Sequence, residues 1–391
     1  MPVTKRKNDL YSIALPLIGR RCRWRRAQTE SEGKPDTLQA VERILKKRHV
    51  TGGCVQLIRG GKIAECYYAG NASLRPRRPV RPDTVFRTAS IAKAVCALLV
   101  MRLQTQGKLS VEEDISDFWH HTIRNPHHPG VPIPLGSLLS HSSGFRDTPE
   151  YFRSFRENIT ADELLADGES YLETKPYERF RYSNFGAGLI GSLLEARFDV
   201  SIEELIQREL FQPLGVEATF DILKTDAGRV ASSYRVLPPQ RGAAFDAARR
   251  RETAEAIAAP DPQRHFLLAS GNLFLTAGEM TKLCLLVICK GRLDGQAFIN
   301  GASLANLCTP AGGEAGRWPG MRHGMGLFAL EDESVSPRRL YGHQGFAYGA
   351  VNGIFFDDDG NGFVSFNNGA SEMRVGRLSL LNRDLIRALL P

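Results

Sequence analysis

The chain has no apolar run long enough to cross a bilayer, no CxxC pair, no internal repeat, and almost no excess charge once its first residues are set aside. Each absence removes a class of function. A membrane span needs about 20 consecutive apolar residues, so an integral membrane protein is not expected. Seven cysteines (Cys22, Cys54, Cys66, Cys96, Cys284, Cys289, Cys308) are odd in number and mostly sit among apolar residues. They read as small buried hydrophobes, and a Cys54–Cys66 bridge is not expected. His120, His121, His127 and His128 crowd one proline-rich loop, but they lack ligand spacing and the nearest carboxylate is Asp117, so no metal site is expected there. Residues 1–34 carry nine Lys/Arg against three acids, a net of +6 out of the total of +8. The charge therefore belongs to a tail, and nucleic-acid binding is not expected.

What is present is enough to bury a large core: 391 residues, 42% of them hydrophobic. Lys5-Arg6-Lys7 followed by the apolar run from Leu10 to Gly19 starts like an export signal. Pro16, the missing small-residue cleavage site and the basic flank Arg20 to Arg26 argue against one. Residues 1–35 are thus expected to be a flexible basic tail, capable of weak contact with an anionic membrane surface. A cytoplasmic or peripheral membrane location is the expectation that follows, with the compartment itself left open by the sequence.

From residue 36 onward the pattern is α+β. A helix over Leu38, Val41, Ile44 and Leu45, capped by Asp36, precedes a hairpin whose Gly60-Gly61 supplies the positive φ of a two-residue turn. Between Lys108 and about Pro262 helical segments and long loops take over, including Leu135 to Leu139 and a capping box at Ser201 to Glu204. Thr276 is expected to cap a helix burying Met280, Leu283, Cys284, Val287 and Ile288. Strands return at Leu340 to Phe346, Ala350 to Phe356 and Gly362 to Phe366, and a last helix is expected from Ser371 to Leu390. The implied architecture is an antiparallel sheet flanked by helices, with a sheet lobe at about 36–107 and 269–391 and an inserted helical lobe at about 108–268.

Ser90 and Lys93 are the residues that carry chemistry. Three apart at the mouth of an apolar helix, they share a face, while Ile91, Val95, Leu98, Leu99 and Leu103 form a stripe for burial. A serine hydroxyl needs a base within reach to act as a nucleophile, and a partly desolvated lysine favours its neutral form and can be that base. A second Ser-x-x-Lys, Ser31 to Lys34, has no apolar stripe behind it. Acyl transfer also needs a proton relay and oxyanion donors, which Tyr182-Ser183-Asn184 and His343-Gln344-Gly345 can offer.

Ser90-Ile91-Ala92-Lys93, Tyr182-Ser183-Asn184 and His343-Gln344-Gly345 together resemble the three motifs of the serine β-lactamase-like and penicillin-binding-protein-like hydrolases, a group holding class C β-lactamases, DD-peptidases and esterases. Leu138-Leu139-Ser140-His141-Ser142-Ser143-Gly144 and Phe211-Gln212-Pro213-Leu214-Gly215 are similar to further segments of that group. The resemblance covers residue 36 to the end. It implies Ser90 as acylated nucleophile, and Lys93 with Tyr182 as shared general base and proton carriers. Asn184 would hold the substrate amide or Lys93, the N–H groups of Ser90 and Phe346 would form the oxyanion hole, and His343 and Gly345 would line the leaving-group side. No metal or organic cofactor is called for. The substrate would be a small ester, an amide or a D-amino-acid peptide. With His-Gln-Gly standing where carboxylate-recognising members carry Lys-Thr-Gly, β-lactamase activity is expected to be weak or absent. The alternative is a non-catalytic relative that binds cell-wall fragments or a protein partner, and by the same resemblance an extracytoplasmic location is open.

Overall fold

The computed structural model describes residues 33–237, 240–243, 254–312 and 317–390, so the basic tail falls outside the described residues apart from its last three positions. The chain opens with helix α1 (Pro35–Lys47). Lys34 is its N-cap and Pro35 starts it, so Asp36, the expected cap, lies two positions further on in the first turn. Strands β1 (Gly52–Arg59) and β2 (Lys62–Leu74) follow, joined at Gly60 and Gly61 with φ of 52° and 72°, and then β3 (Arg77–Pro79). Six cysteines among the described residues are thiols, and Cys66 lies opposite Gln56 in the hairpin register, not opposite Cys54.

Helix α2 (Ile91–Thr105) departs from the single-stripe expectation. Besides the stripe, Ala92, Ala94, Cys96, Ala97, Val100 and Met101 are buried, as is the Lys93 side chain. Small residues fill the positions between the large ones, so neighbours close on every side, and the helix is the axis of the core rather than its edge. Helix α3 (Asn184–Phe198) meets the short helix Phe266–Ala269 at close range, and both lie in the same core. A Cβ on Gly188 would sit 2.0 Å from the Phe266 carbonyl oxygen. Backbone must move to admit it, so Gly188→Ala is expected to cost about 1–3 kcal/mol, read as a lower denaturant midpoint at unchanged slope. No drop in midpoint would contradict that packing.

Helix α4 (Ala277–Ile288) is capped by Thr276, whose hydroxyl accepts from the Glu279 N–H. Strands β4 (Met321–His323), β5 (Phe328–Leu330), β6 (Leu340–Ala347), β7 (Ala350–Phe356) and β8 (Gly362–Asn367) complete an eight-stranded sheet in the order β4-β5-β6-β7-β8-β1-β2-β3, with every neighbour antiparallel. The early and late parts of the chain are joined inside the sheet by β1 pairing with β8, Gly53 opposite Asn367. The last helix, α5 (Leu380–Leu389), is about half the expected length. Its anticipated first turns are instead a tight pair of strands, Arg374–Val375 and Leu378–Ser379, turning at Gly376 with φ of 59°. Met373 consequently sits ahead of the helix and is half-buried.

Both faces of the sheet are covered. Val55, Leu57, Val351, Phe355 and Phe363 pack on Val41 and Leu45 of α1 and on Leu381, Leu385 and Leu389 of α5. Cys54, Ile354, Phe356, Val364 and Phe366 face the larger cluster that contains α2 and α4. β7 is buried along its whole length, its apolar run interrupted at Asn352. Among the described residues no helix is long and apolar enough to cross a membrane.

Candidate active site

Ala89 sets the entry to α2. Its φ of 53° is a left-handed conformation that costs a non-glycine residue of order 1 kcal/mol or more, and the turn it makes brings Ser90 to the N-cap of the helix. Asn352 of β7 fastens this approach to the sheet, donating to the carbonyls of Arg87 (2.9 Å) and Thr88 (3.3 Å). The Ser90 hydroxyl makes no capping bond. It turns to the Lys93 Nζ at 3.3 Å and shares a hydrogen bond with the Tyr182 hydroxyl.

Lys93 lies behind Ser90, with its ammonium nitrogen also donating to Asn184 Oδ1 (2.9 Å) and to the Ser270 carbonyl. Burial lowers its pKa from 10.5 to about 7, although the negative charge of Asp147 pulls in the opposite direction. A neutral amine has two N–H donors and one lone pair. Asn184 and Ser270 take the donors, and the lone pair is left facing the Ser90 hydroxyl.

Asp147 escaped the sequence reading. One of its carboxylate oxygens accepts from Ser183 Oγ (3.1 Å), the Asn184 N–H (2.7 Å) and the Phe185 N–H (2.9 Å), and the other accepts from Asn184 Nδ2 at 2.7 Å. It therefore holds the N-terminus of α3 and points the Asn184 carbonyl oxygen at Lys93. His141, inside the Leu-Leu-x-His segment and itself at φ of 56°, stacks on the Tyr182 ring at 4.2 Å, and its Nδ1 accepts from the Ser183 N–H at 3.3 Å. Burial pushes the Tyr182 hydroxyl well above its usual pKa, so it stays a protonated phenol at neutral pH.

The opposite wall is β6. His343 is buried in the cleft lining, and its Nδ1 donates to the Gln344 carbonyl at 2.8 Å. Burial, reinforced by the charge of Lys93, lowers its pKa to about 3, which makes it a neutral imidazole with an accepting Nε2. The Gln344 side chain turns to the back of the strand. There its amide donates to the Arg377 carbonyl and accepts from the Ser379 N–H and from Asn382 Nδ2. Gly345 differs from expectation: it is not part of the cleft lining. A Cβ there would stand 2.2 Å from the Thr88 carbonyl oxygen, so the bare position lets the segment leading to Ser90 lie against β6.

Ser90, Tyr182, Asn184, His343 and Phe346 all line one cleft of about 570 Å³. His323 of β4 joins them, buried, with its pKa lowered to about 3 by burial and by His343. Among the described residues, Arg179, Arg181, Arg374 and Arg377 stand around the same cleft, and the carboxylate lining it is that of the fully engaged Asp147. The Arg374 guanidinium covers the Phe346 ring at 3.7 Å and that of Arg377 covers the Trp318 ring at 4.4 Å. A serine, a desolvated lysine and a buried phenol within hydrogen-bond reach can form and resolve an acyl ester.

The Beta-lactamase family model matches residues 38–385. The chain belongs to the beta-lactamase family. That family comprises serine hydrolases built on the β-lactamase/transpeptidase-like fold, which is the architecture seen here. Penicillin-binding protein 4* of Bacillus subtilis is 29% identical over 202 residues, covering 48% of this chain and 42% of that protein. The chain thus spans about two fifths of the length of the curated relatives it matches. Among solved structures, EstCE1, a hydrolase with promiscuous acyltransferase activity, superimposes with a TM-score of 0.72 at 23% identity, over 90% of this chain and 98% of that one. D-amino acid amidase from Ochrobactrum anthropi gives 0.67 at 21% identity, over 91% and 98%. At these identities the beta-lactamase family structures attest the fold.

Proposed function

We propose that this beta-lactamase family protein is a serine hydrolase that works through an acyl-enzyme on Ser90, cleaving small esters, amides or D-amino-acid-containing peptides. The observation that carries the reading is the Lys93 amine, held at a pKa of about 7 with its two donors engaged and Ser90 Oγ at 3.3 Å. Ser90 Oγ attacks the carbonyl carbon while its proton passes to Lys93. The N–H groups of Ser90 and Phe346 receive the oxyanion. Tyr182, protonated, gives its proton to the departing oxygen or nitrogen and is reprotonated from Lys93. Water then enters by the same relay, the Ser90 ester breaks, and the free acid leaves. Lys93 is the base in this scheme, with Tyr182 a relay rather than an equal partner.

The substrate follows from the far wall. A neutral His343 offers no charge to a carboxylate, which disfavours the binding mode that a Lys-Thr-Gly wall provides. Arg374 and Arg377 supply cations on the neighbouring turn, so the cleft accommodates an anionic group on the acyl or leaving portion. A hydrolase with promiscuous acyltransferase activity and a D-amino acid amidase among its structural neighbours support an acyl substrate of the ester or amide type.

The test is covalent labelling. Intact mass after exposure to a fluorophosphonate or an activated ester is expected to rise by one adduct, mapped to Ser90 by peptide sequencing and missing in Ser90→Ala. Absence of an adduct with every such probe would favour the non-catalytic binding protein instead.

A further inference from the structure

We infer that His120, His121 and Asp162 form a site for a divalent transition cation of the zinc type, on the helical side of the molecule and separate from the cleft. In the sequence the nearest carboxylate to the histidine pair is Asp117, and no metal site is expected there. Folding brings Asp162 to it from 41 residues away, so that His120 Nε2 lies 3.0 Å from one oxygen and His121 Nε2 lies 2.9 Å from the other. The three candidate ligand atoms lie within 4.8 Å of one another.

The tautomers make this arrangement point to a cation. His121 Nδ1 faces the Thr122 carbonyl at 3.2 Å. A carbonyl can accept but not donate, so Nδ1 carries the hydrogen and a neutral His121 turns the lone pair of Nε2 toward the carboxylate. Two lone pairs at 2.9 Å repel unless a positive charge lies between them. A proton can serve, and so can a metal ion, for which a backbone-anchored Nδ1–H is the usual orienting contact.

Asp162 is held for such a role. The Trp119 indole N–H donates to its Oδ1 and Gln263 Nε2 to its Oδ2, both at 2.9 Å, while Gln263 Oε1 accepts from the Asp162 N–H at 3.1 Å. Each carboxylate oxygen is thereby anchored by one donor besides the histidine that faces it. With metal–ligand bonds of about 2.0–2.2 Å in a tetrahedron, the ligand atoms stand about 3.3 Å apart, a few tenths of an ångström wider than the two N···O pairs now and inside the 4.8 Å that spans the whole set. The side chains are partly exposed, 58% for His120, 44% for His121 and 37% for Asp162, so they can open by that amount and leave a fourth position to water. Two imidazoles and a carboxylate suit zinc, cobalt or nickel better than calcium or magnesium. The bound ion would tie the loop at 119–122 to the helix Ala161–Ala166 and to the segment at Gln263.

The test uses the full chain, stripped with a chelator and titrated with zinc chloride by calorimetry. One saturable site is expected, and His121→Ala and Asp162→Asn are each expected to weaken it by more than the roughly 10–100-fold typical of losing an outer contact, with Ser90 labelling unchanged. Cobalt(II) bound to the unaltered protein gives a second reading that does not depend on variants: intense visible bands of a four-coordinate ion, and quenching of Trp119, whose ring lies 5.2 Å from that of His120. No saturable binding, or binding that both variants retain, would leave an imidazolium–carboxylate pair only and overturn the inference.

Discussion

Lys93→Met is expected to lower kcat/KM toward an activated ester by roughly 100- to 10,000-fold, the range for losing a positioned proton acceptor. Methionine keeps the length and apolar contacts of the stem but removes the nitrogen facing Ser90. The unaltered protein should show the corresponding pH profile. Below about pH 7 the Lys93 side chain is an ammonium ion with no lone pair for Ser90, and above it the neutral amine predominates. Activity therefore climbs through pH 7 and disappears in acid. His323 and His343, with pKa values near 3, and the raised Tyr182 hydroxyl leave that step uncomplicated between pH 5 and 9. A flat kcat/KM profile across that interval, or a Lys93→Met variant within a few-fold of the parent, would remove Lys93 from the base role.

Asp147→Asn should move the same step in a defined direction. The carboxylate opposes the desolvation of Lys93 and keeps its pKa from falling further. Without the negative charge the ammonium form loses support, so the rising limb shifts below pH 7. The asparagine amide can accept from only part of the set now bound by two carboxylate oxygens. Misalignment of Asn184 is thus expected to cost on the order of 100-fold in rate, and the lost charge-assisted bonds about 2–3 kcal/mol in stability. Measuring the pH profile and the denaturation midpoint together separates the two effects. A limb at unchanged or higher pH would show that Asp147 acts on position alone.

How much of this was legible depended on distance along the chain. Ser90 and Lys93 are three residues apart, and Gly60 and Gly61 are adjacent, so short-range geometry made both readable. Asp147 meets Asn184 from 37 residues away, and Asp162 meets His121 from 41. No local period encodes such pairings. The same applies to Arg374 and Arg377, which reach the cleft through a tight turn at Gly376 that an amphipathic reading absorbed into the last helix. For the glycine of His343-Gln344-Gly345 the sequence suggests a ligand as the close neighbour, and only the fold shows the Thr88 carbonyl there. The Lys-to-His change is the reverse case. Residue type alone foretold a neutral wall, and burial accentuates it.

The pairing of β1 with β8 sets a timetable for the molecule. Gly53 cannot find Asn367 until the long segment between them has been synthesised, and contacts of such separation are slow to close. The segment bearing Ser90 is made well before β6, the strand against which Thr88 rests. A nascent chain therefore carries its serine for a time without the wall that faces it. Until β6 is in place the cleft is incomplete, and the sheet centre, with its apolar residues, is the surface that waits uncovered in the meantime.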